Sequence, residues 1–212
     1  MKLEVPFHNQ ETNNDCGPTA LQMVLEYLDR KSYSRDQIQT LVDSDKSGVT
    51  WTIGLAKSAA QMGFKTEFYT SCLGFNPENY KLAFYQETAD EKKSTEKKLN
   101  KLKREAVQFG VHMEEKRLTL KEILIKIGSS CVPIILLDWS KIKATKGFIG
   151  HFVPIVGYDN NNIYIHNPGG SNAMANFSIK RDLFEEARTS LGTDQDIIFV
   201  HSRSENQQIL TV

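Results

Sequence analysis

The run CVPIILLDW, residues 131–139, constrains this chain more than any other segment. It is nearly all apolar, so an extended chain here has no face that tolerates water, and it reads as a strand covered on both sides. Such a strand needs apolar neighbours, and two segments of period-two character follow it. They are HFVPIVGY (151–158) and NIYIHNP (162–168), separated by DNNN, whose Asp and Asn residues suit a tight turn. Upstream, Cys16 to about Leu28 carries Ala20, Leu21, Val24, Leu25 and Leu28 at helical spacing. Pro18 is tolerated there because first-turn N–H groups have no partner within the helix. SRDQIQTLVDS reads as a second helix opened by Ser34, and TWTIGLAKSAAQMG as a third closed by Gly63. FKTEFYTS alternates like a strand ahead of the loop CLGFNPENY. TLKEILIKIGS reads as a helix ended by Gly128, and the C-terminal part as helix KRDLFEEARTS, turn LGTDQ and strand DIIFVHS. Helices first and an antiparallel sheet last is an α+β order.

With 212 residues, 40% hydrophobic and 25% charged, the chain is expected to form one globular domain over 1–212. Lys plus Arg and Asp plus Glu are both 26, so no global field favours nucleic acid or an anionic membrane. No apolar stretch is long enough to span a bilayer, since Asp138 interrupts the longest. Cys16, Cys72 and Cys131 are odd in number and widely spaced, without a CxxC pair, which argues against a disulfide scaffold or a zinc ribbon. MKLEVPFHNQ has no secretory character, and the expectation is reduced thiols in the cytoplasm. The charge-dense stretch at about 87–115 is expected to be a solvated helical insertion with a sparse apolar face at Leu99, Leu102 and Val107. If the chain docks on a protein partner, this helix is the expected place.

The chemistry centres on Cys16. At a helix start, unsatisfied N–H groups and the macrodipole favour negative charge and are expected to lower a thiol's pKa. A cysteine nucleophile also needs a base, and the base needs a group that holds its ring. Turn arithmetic on the DNNN hairpin places Asn167 roughly opposite His151, so the Asn167 carboxamide can accept a ring N–H. His166, one residue away, points to the other face. Gln10, six residues before the thiol, can turn its N–H2 toward an oxyanion formed there, beside the Cys16 backbone N–H. Taken singly these are ordinary residues: a buried thiol, a satisfied histidine, a strand-ending Asn and a loop Gln. Together they are the parts of one mechanism.

VPFHNQETNNDCGPTALQMVLEYL with GHFVPIVGYDNNNIYIHNPGG resembles the papain-like C39 and C39-like cysteine peptidases, and within them the guanylyl-cyclase-domain-containing family of plants and animals. TWTIGLAKSAAQMGFKTEFYTSCLGFNPENY and FEEARTSLGTDQDIIFV resemble that family's middle and C-terminal motifs. The resemblance implies a papain-like α+β fold with N-terminal helices packed on a C-terminal antiparallel sheet. It also implies Cys16 as nucleophile, His151 as general base and acid, Asn167 as orienter and Gln10 as oxyanion donor, acting without a cofactor on a peptide or amide. C39 peptidases usually have Asp where this chain has Asn167. The family's name implies instead the cyclisation of GTP to cyclic GMP, which needs carboxylates for metal, and here GTDQD offers Asp194 and Asp196. A third reading is a non-catalytic module that binds peptide in a papain-like cleft.

Overall fold

The computed structural model describes residues 1–44, 48–169 and 172–203. The apolar run CVPIILLD forms β3 (Cys131–Asp138), buried along its whole length in a seven-stranded sheet. With β1 (Lys65–Thr70), β2 (His112–Glu115), β4 (Gly150–Tyr158), β5 (Asn162–Asn167), β6 (Met174–Lys180) and β7 (Ile197–His201), the order across the sheet is β2-β1-β7-β3-β4-β5-β6. All pairings are antiparallel except β1 with β2. The last strand inserts between β1 and β3, so the C-terminal segment DIIFVHS joins the two halves of the sheet.

On one face lie α1 (Cys16–Asp29), α2 (Arg35–Val42), α3 (Thr52–Gln61) and α5 (Lys92–Gln108), sharing a core with Phe152 and Val156 of β4. On the other lie α6 (Leu120–Ile125) and α8 (Arg181–Arg188), packed on Val153, Ile155, Ile163 and Ile165. β3 serves both cores, Ile134 and Leu136 on one side and Ile135 and Leu137 on the other. That is why its sequence has no polar face.

Helix α1 departs from the one-faced reading. Every residue from Cys16 to Leu25 is buried, because the helix is enclosed by the sheet, α2 and α3. Of the polar side chains that this encloses, Gln22 donates its amide N–H to the Tyr33 carbonyl at 2.9 Å, while the Thr19 hydroxyl and Gln22 Oε1 have no partner among the described residues. The charged 87–115 segment is not helical throughout. Its helix α5 buries Thr95, Leu99, Leu102 and Ala106 against α3, whereas Val107 is exposed, and the segment then ends in the polar edge strand β2. Four further elements were not visible in the sequence pattern: a 3-10 turn at Pro77–Lys81, α4 (Ala83–Thr88), α7 (Trp139–Lys143) and β6. Among the described residues no helix is long and apolar enough to cross a membrane.

Candidate active site

Cys16 is the first residue of α1 and Asp15 caps it. The Asp15 carboxylate turns back from the helix. It accepts the backbone N–H groups of Glu11 and Thr12, each at 3.0 Å, and meets Arg35 at 3.5 Å. The preceding loop is thereby fixed, and Gln10 with it: the Gln10 backbone N–H donates to the Pro168 carbonyl at 2.8 Å, tying this loop to the chain just after Asn167.

The thiol is 8% exposed. Burial pushes it up to about 11, against the opposing influence of the backbone amides of Phe152 and Gly17. The expected lowering at a helix start is therefore reversed, because desolvation of a thiolate outweighs the helix terminus. The influence of the Phe152 amide also locates the sulfur: Cys16 lies against β4 at the residue next to His151.

His151 sits near the start of β4, opposite Leu137 of β3, and its ring packs on Trp139 with centroids 4.7 Å apart. Asp138 holds this corner. Its buried carboxylate accepts N–H groups from Ser140 and Ile149 and hydroxyls from Ser140 and Ser190, while the Trp139 N–H donates to the Ile149 carbonyl at 2.7 Å. The polar residue that breaks the apolar run thus caps α7 and pins the entry to β4.

His151 Nε2 is 2.8 Å from Asn167 Oδ1, the bond anticipated from the hairpin. The observed β4–β5 register is Ile155 with Ile165, followed by a bulge and Gly157 with Tyr164, so the two residues meet beyond the last regular pair. The Asn167 amide cannot be reversed, because Oδ1 also accepts the Gly169 N–H at 3.1 Å while Nδ2 donates to the Asn172 carbonyl at 2.7 Å. His151 must therefore donate from Nε2, which leaves Nδ1 with the lone pair a base needs. Burial drives the His151 pKa down to about 4, more strongly than the Asn167 bond raises it. Thiol and imidazole are thus each neutral at pH 7. His166 is on the other face, as the alternation required. Its Nε2 bonds the Val5 carbonyl at 2.8 Å and its Nδ1 accepts from Asn176 at 3.1 Å, so both nitrogens are committed to structure.

The Gln10 side chain faces the same corner, with a different polarity from that expected. Nε2 donates to the Thr12 carbonyl at 2.7 Å, and Oε1 is buried without a partner. Gly169 separates it from the imidazole: a Cβ there would lie 2.8 Å from His151 Cε1 and 3.2 Å from Gln10 Oε1. Gly169→Ala is expected to push the ring off Asn167 and slow acylation of Cys16 by an activated peptide ester by roughly tenfold to a hundredfold. The melting temperature should change little, and stopped-flow acylation with calorimetry checks both.

A cavity of about 260 Å³ opens beside Cys16. Its wall includes Trp51, Tyr85 and Gly150, and also a second thiol, Cys72. Asp194 and Asp196 of GTDQD line it too. Asp194 accepts amide N–H groups from Asn76 at 2.6 Å and Asn79 at 2.7 Å. Burial, then the neighbouring Asp194, raises Asp196 to about 8. Among the described residues no group of three or more His, Cys, Asp or Glu is arranged to hold a metal ion.

The family model described as Guanylylate cyclase matches residues 5–200, nearly the whole described chain. This chain belongs to the guanylylate cyclase family. Guanylyl cyclase 1 of Arabidopsis thaliana is 25% identical over 224 residues, covering 97% of this chain and 78% of that protein. Three solved structures similar to this member of the family are peptidases or peptidase domains. A putative C39-like peptidase from Bacillus anthracis superposes with TM-score 0.57 at 15% identity, over 97% of this chain and all of that one. The peptidase domain of Streptococcus ComA gives 0.52 at 17% identity, covering 94% of this chain and 100% of that domain. A double glycine motif protease from an AMS/PCAT transporter, solved with its leader peptide, gives 0.51 at 17% identity, covering 96% and 94%. The guanylylate cyclase family member described here therefore has the C39-like α+β fold.

Trp139, Gly169 and Asp15 escaped the sequence reading. Their contribution depends on contacts between distant segments, and only the position of Asp15 beside Cys16 was a local signal for any of them.

Proposed function

We propose that this chain is a cysteine-dependent hydrolase or acyl-transfer enzyme acting on a peptide or amide, with Cys16 as nucleophile, His151 as general base and acid, and Asn167 as orienter. The observation that carries the reading is the doubly anchored Asn167 amide, which fixes one tautomer of His151 on the strand against which Cys16 packs. In the proposed reaction, His151 Nδ1 takes the thiol proton as sulfur attacks the carbonyl, so the neutral pair becomes an ion pair only as the bond forms. The tetrahedral oxyanion is held by the Cys16 backbone N–H and, once its amide turns, by the Gln10 N–H2. The imidazolium then protonates the leaving amine, and water releases the acyl group. No cofactor takes part.

The fold likeness to C39 peptidases and the free state of all three cysteines support this reading and a reducing, cytoplasmic setting. In the same proposal the domain runs over 1–212, and the outer face of α5 is where a protein partner docks. Cyclisation of GTP is the second reading, favoured by the name of the Arabidopsis relative, and Asp194 and Asp196 are the residues it would use. A peptide-binding module without catalysis is the third.

Asn167→Ala and Asn167→Asp decide among them in a screen of peptide amides and esters and of GTP with Mg2+ or Mn2+. Asn167→Ala should lower thiol-dependent turnover by roughly tenfold or more, with Asn167→Asp retaining activity. Unchanged turnover in Asn167→Ala would reduce Asn167 to a strand end. Cyclic GMP formed equally by wild type and Cys16→Ala would establish the second reading.

A further inference from the structure

We propose that the cavity beside Cys16 takes the guanidinium side chain of an arginine residue, seated between the Trp51–Tyr85 aromatic wall and the Asp194–Asp196 acid pair. The inference rests on the proposed cysteine chemistry only in making that arginine part of the peptide or amide presented to Cys16; the pocket itself stands on its own residues.

Three buried side-chain oxygens of the wall have no hydrogen-bond partner among the described residues, Asn79 Oδ1, Asp196 Oδ1 and Thr52 Oγ1, and the amide and carboxylate oxygens among them accept. Asn79, 4% exposed, spends its Nδ2 on Asp194 and leaves Oδ1 buried without a partner. Asp196 Oδ1 is likewise buried and without an aligned donor, although the Thr52 and Thr70 hydroxyls lie near enough to favour its anion. Such acceptors are costly to leave dry, and they call for a ligand that brings N–H groups. The charge balance points the same way. Among the described lining residues two are acids and one, Lys103, is a cation, and its ammonium is engaged by the Leu73 carbonyl at 3.1 Å. A triphosphate would add negative charge beside Asp194 and an Asp196 that already holds its proton for want of compensation, whereas an entering cation supplies that compensation and lets the proton go.

Shape selects guanidinium over ammonium. Trp51 and Tyr85 are stacked, with centroids 5.8 Å apart and planes at 22°, and the Tyr85 hydroxyl is fixed on the Gly192 carbonyl at 2.5 Å. With Phe148 stacked on Tyr85 as well, at 5.6 Å and 21°, this is a rigid aromatic column whose Trp51 ring, at the cavity wall, is the one on which a planar cation stacks. A guanidinium presents its donors as a fork that serves two carboxyl groups at once, which the compact ammonium of lysine does not. At about 260 Å³ the cavity is below the common range for whole small-molecule ligands, roughly 300–1,000 Å³, and suits one long side chain. The simplest competing account is that Asp194 only clamps the 76–79 turn through its two Asn bonds.

The test uses the full chain carrying Cys16→Ala, so that binding is measured without acyl chemistry. Calorimetry with N-acetyl-arginine methylamide should give binding at least tenfold tighter than with the apolar N-acetyl-norleucine methylamide. Adding Asp196→Asn, which leaves both Asn bonds to Asp194 in place and so preserves the turn, should weaken arginine binding tenfold or more, and Trp51→Leu should weaken it several-fold. Equal affinity for norleucine, arginine binding undiminished by Asp196→Asn, or displacement of arginine by GTP with Mg2+ would overturn the proposal. The two readings fail separately. Arginine binding with no acylation of wild-type Cys16 by any ester would sink the hydrolase reading alone. Acylation of Cys16 without arginine preference would sink the pocket alone.

Discussion

His151→Ala is expected to lower turnover by roughly a hundredfold to ten-thousandfold, the range a positioned general base supplies. The resting state makes the dependence acute. A thiol pushed up to about 11 has almost no thiolate at pH 7, so the reaction depends on removing the proton as sulfur attacks. In a cysteine enzyme with a preformed ion pair, loss of the base still leaves some thiolate. Here it leaves a buried neutral thiol. The pH profile carries the same signature: with His151 lowered to about 4, the base is unprotonated throughout the neutral range, and activity should fall only as pH drops toward 4. Stability should follow on the acid side. A histidine depressed on folding contributes stability present above its ordinary value of 6.5 and lost as pH falls through about 4.

The second large effect is expected on stability at alkaline pH and belongs to Asp196. Its pKa rises from 3.8 to about 8 on folding, so the folded protein holds a proton that the unfolded chain releases. Such a group imposes no penalty below 3.8, and stability is lost progressively as pH rises from there through about 8. Asp196→Asn keeps the shape and removes the charge. The variant should match wild type near pH 3 and exceed it near pH 9 by an amount on the order of a few kcal/mol. Chemical denaturation at several pH values gives the difference between the two proteins, in which the opposing contributions of the histidines cancel. A constant difference across that range would mean that Asp196 is ionised in the folded state.

How much of this was legible in the sequence depends on whether the information is local. The double-sided burial of β3 is written in its composition, since no residue between Cys131 and Leu137 offers water a polar side chain. The His151–Asn167 bond was readable because a short turn couples the two positions through strand alternation, even though a bulge shifts the actual register. Strand β2 was not readable. HMEE is polar and exposed, and it is a strand because β1 offers a free edge, a fact of assembly with no periodicity behind it. β6 was hidden for a similar reason: Met174 and its neighbours are exposed, and only Phe177 and Ile179 turn to the core. The insertion of β7 between β1 and β3 joins segments far apart in the chain, which no local pattern encodes. At the site, the residue types were legible and the electrostatics were not. The helix start suggested a lowered thiol pKa, but the burial that reverses it comes from the sheet and from α3. GTDQD read as a turn with two acids, and its place in the Cys16 cavity follows from contacts with Asn76 and Asn79 more than a hundred residues away.

The central claim is that His151 activates Cys16, and the most direct measurement is the mass of the full chain after brief exposure to a peptide vinyl sulfone at pH 7. The predicted result is a single adduct, mapped to Cys16, that forms at least tenfold more slowly in Asn167→Ala and is lost in His151→Ala. An adduct mapped first to Cys72 or Cys131 would contradict the account, as would labelling of Cys16 at an unchanged rate in His151→Ala.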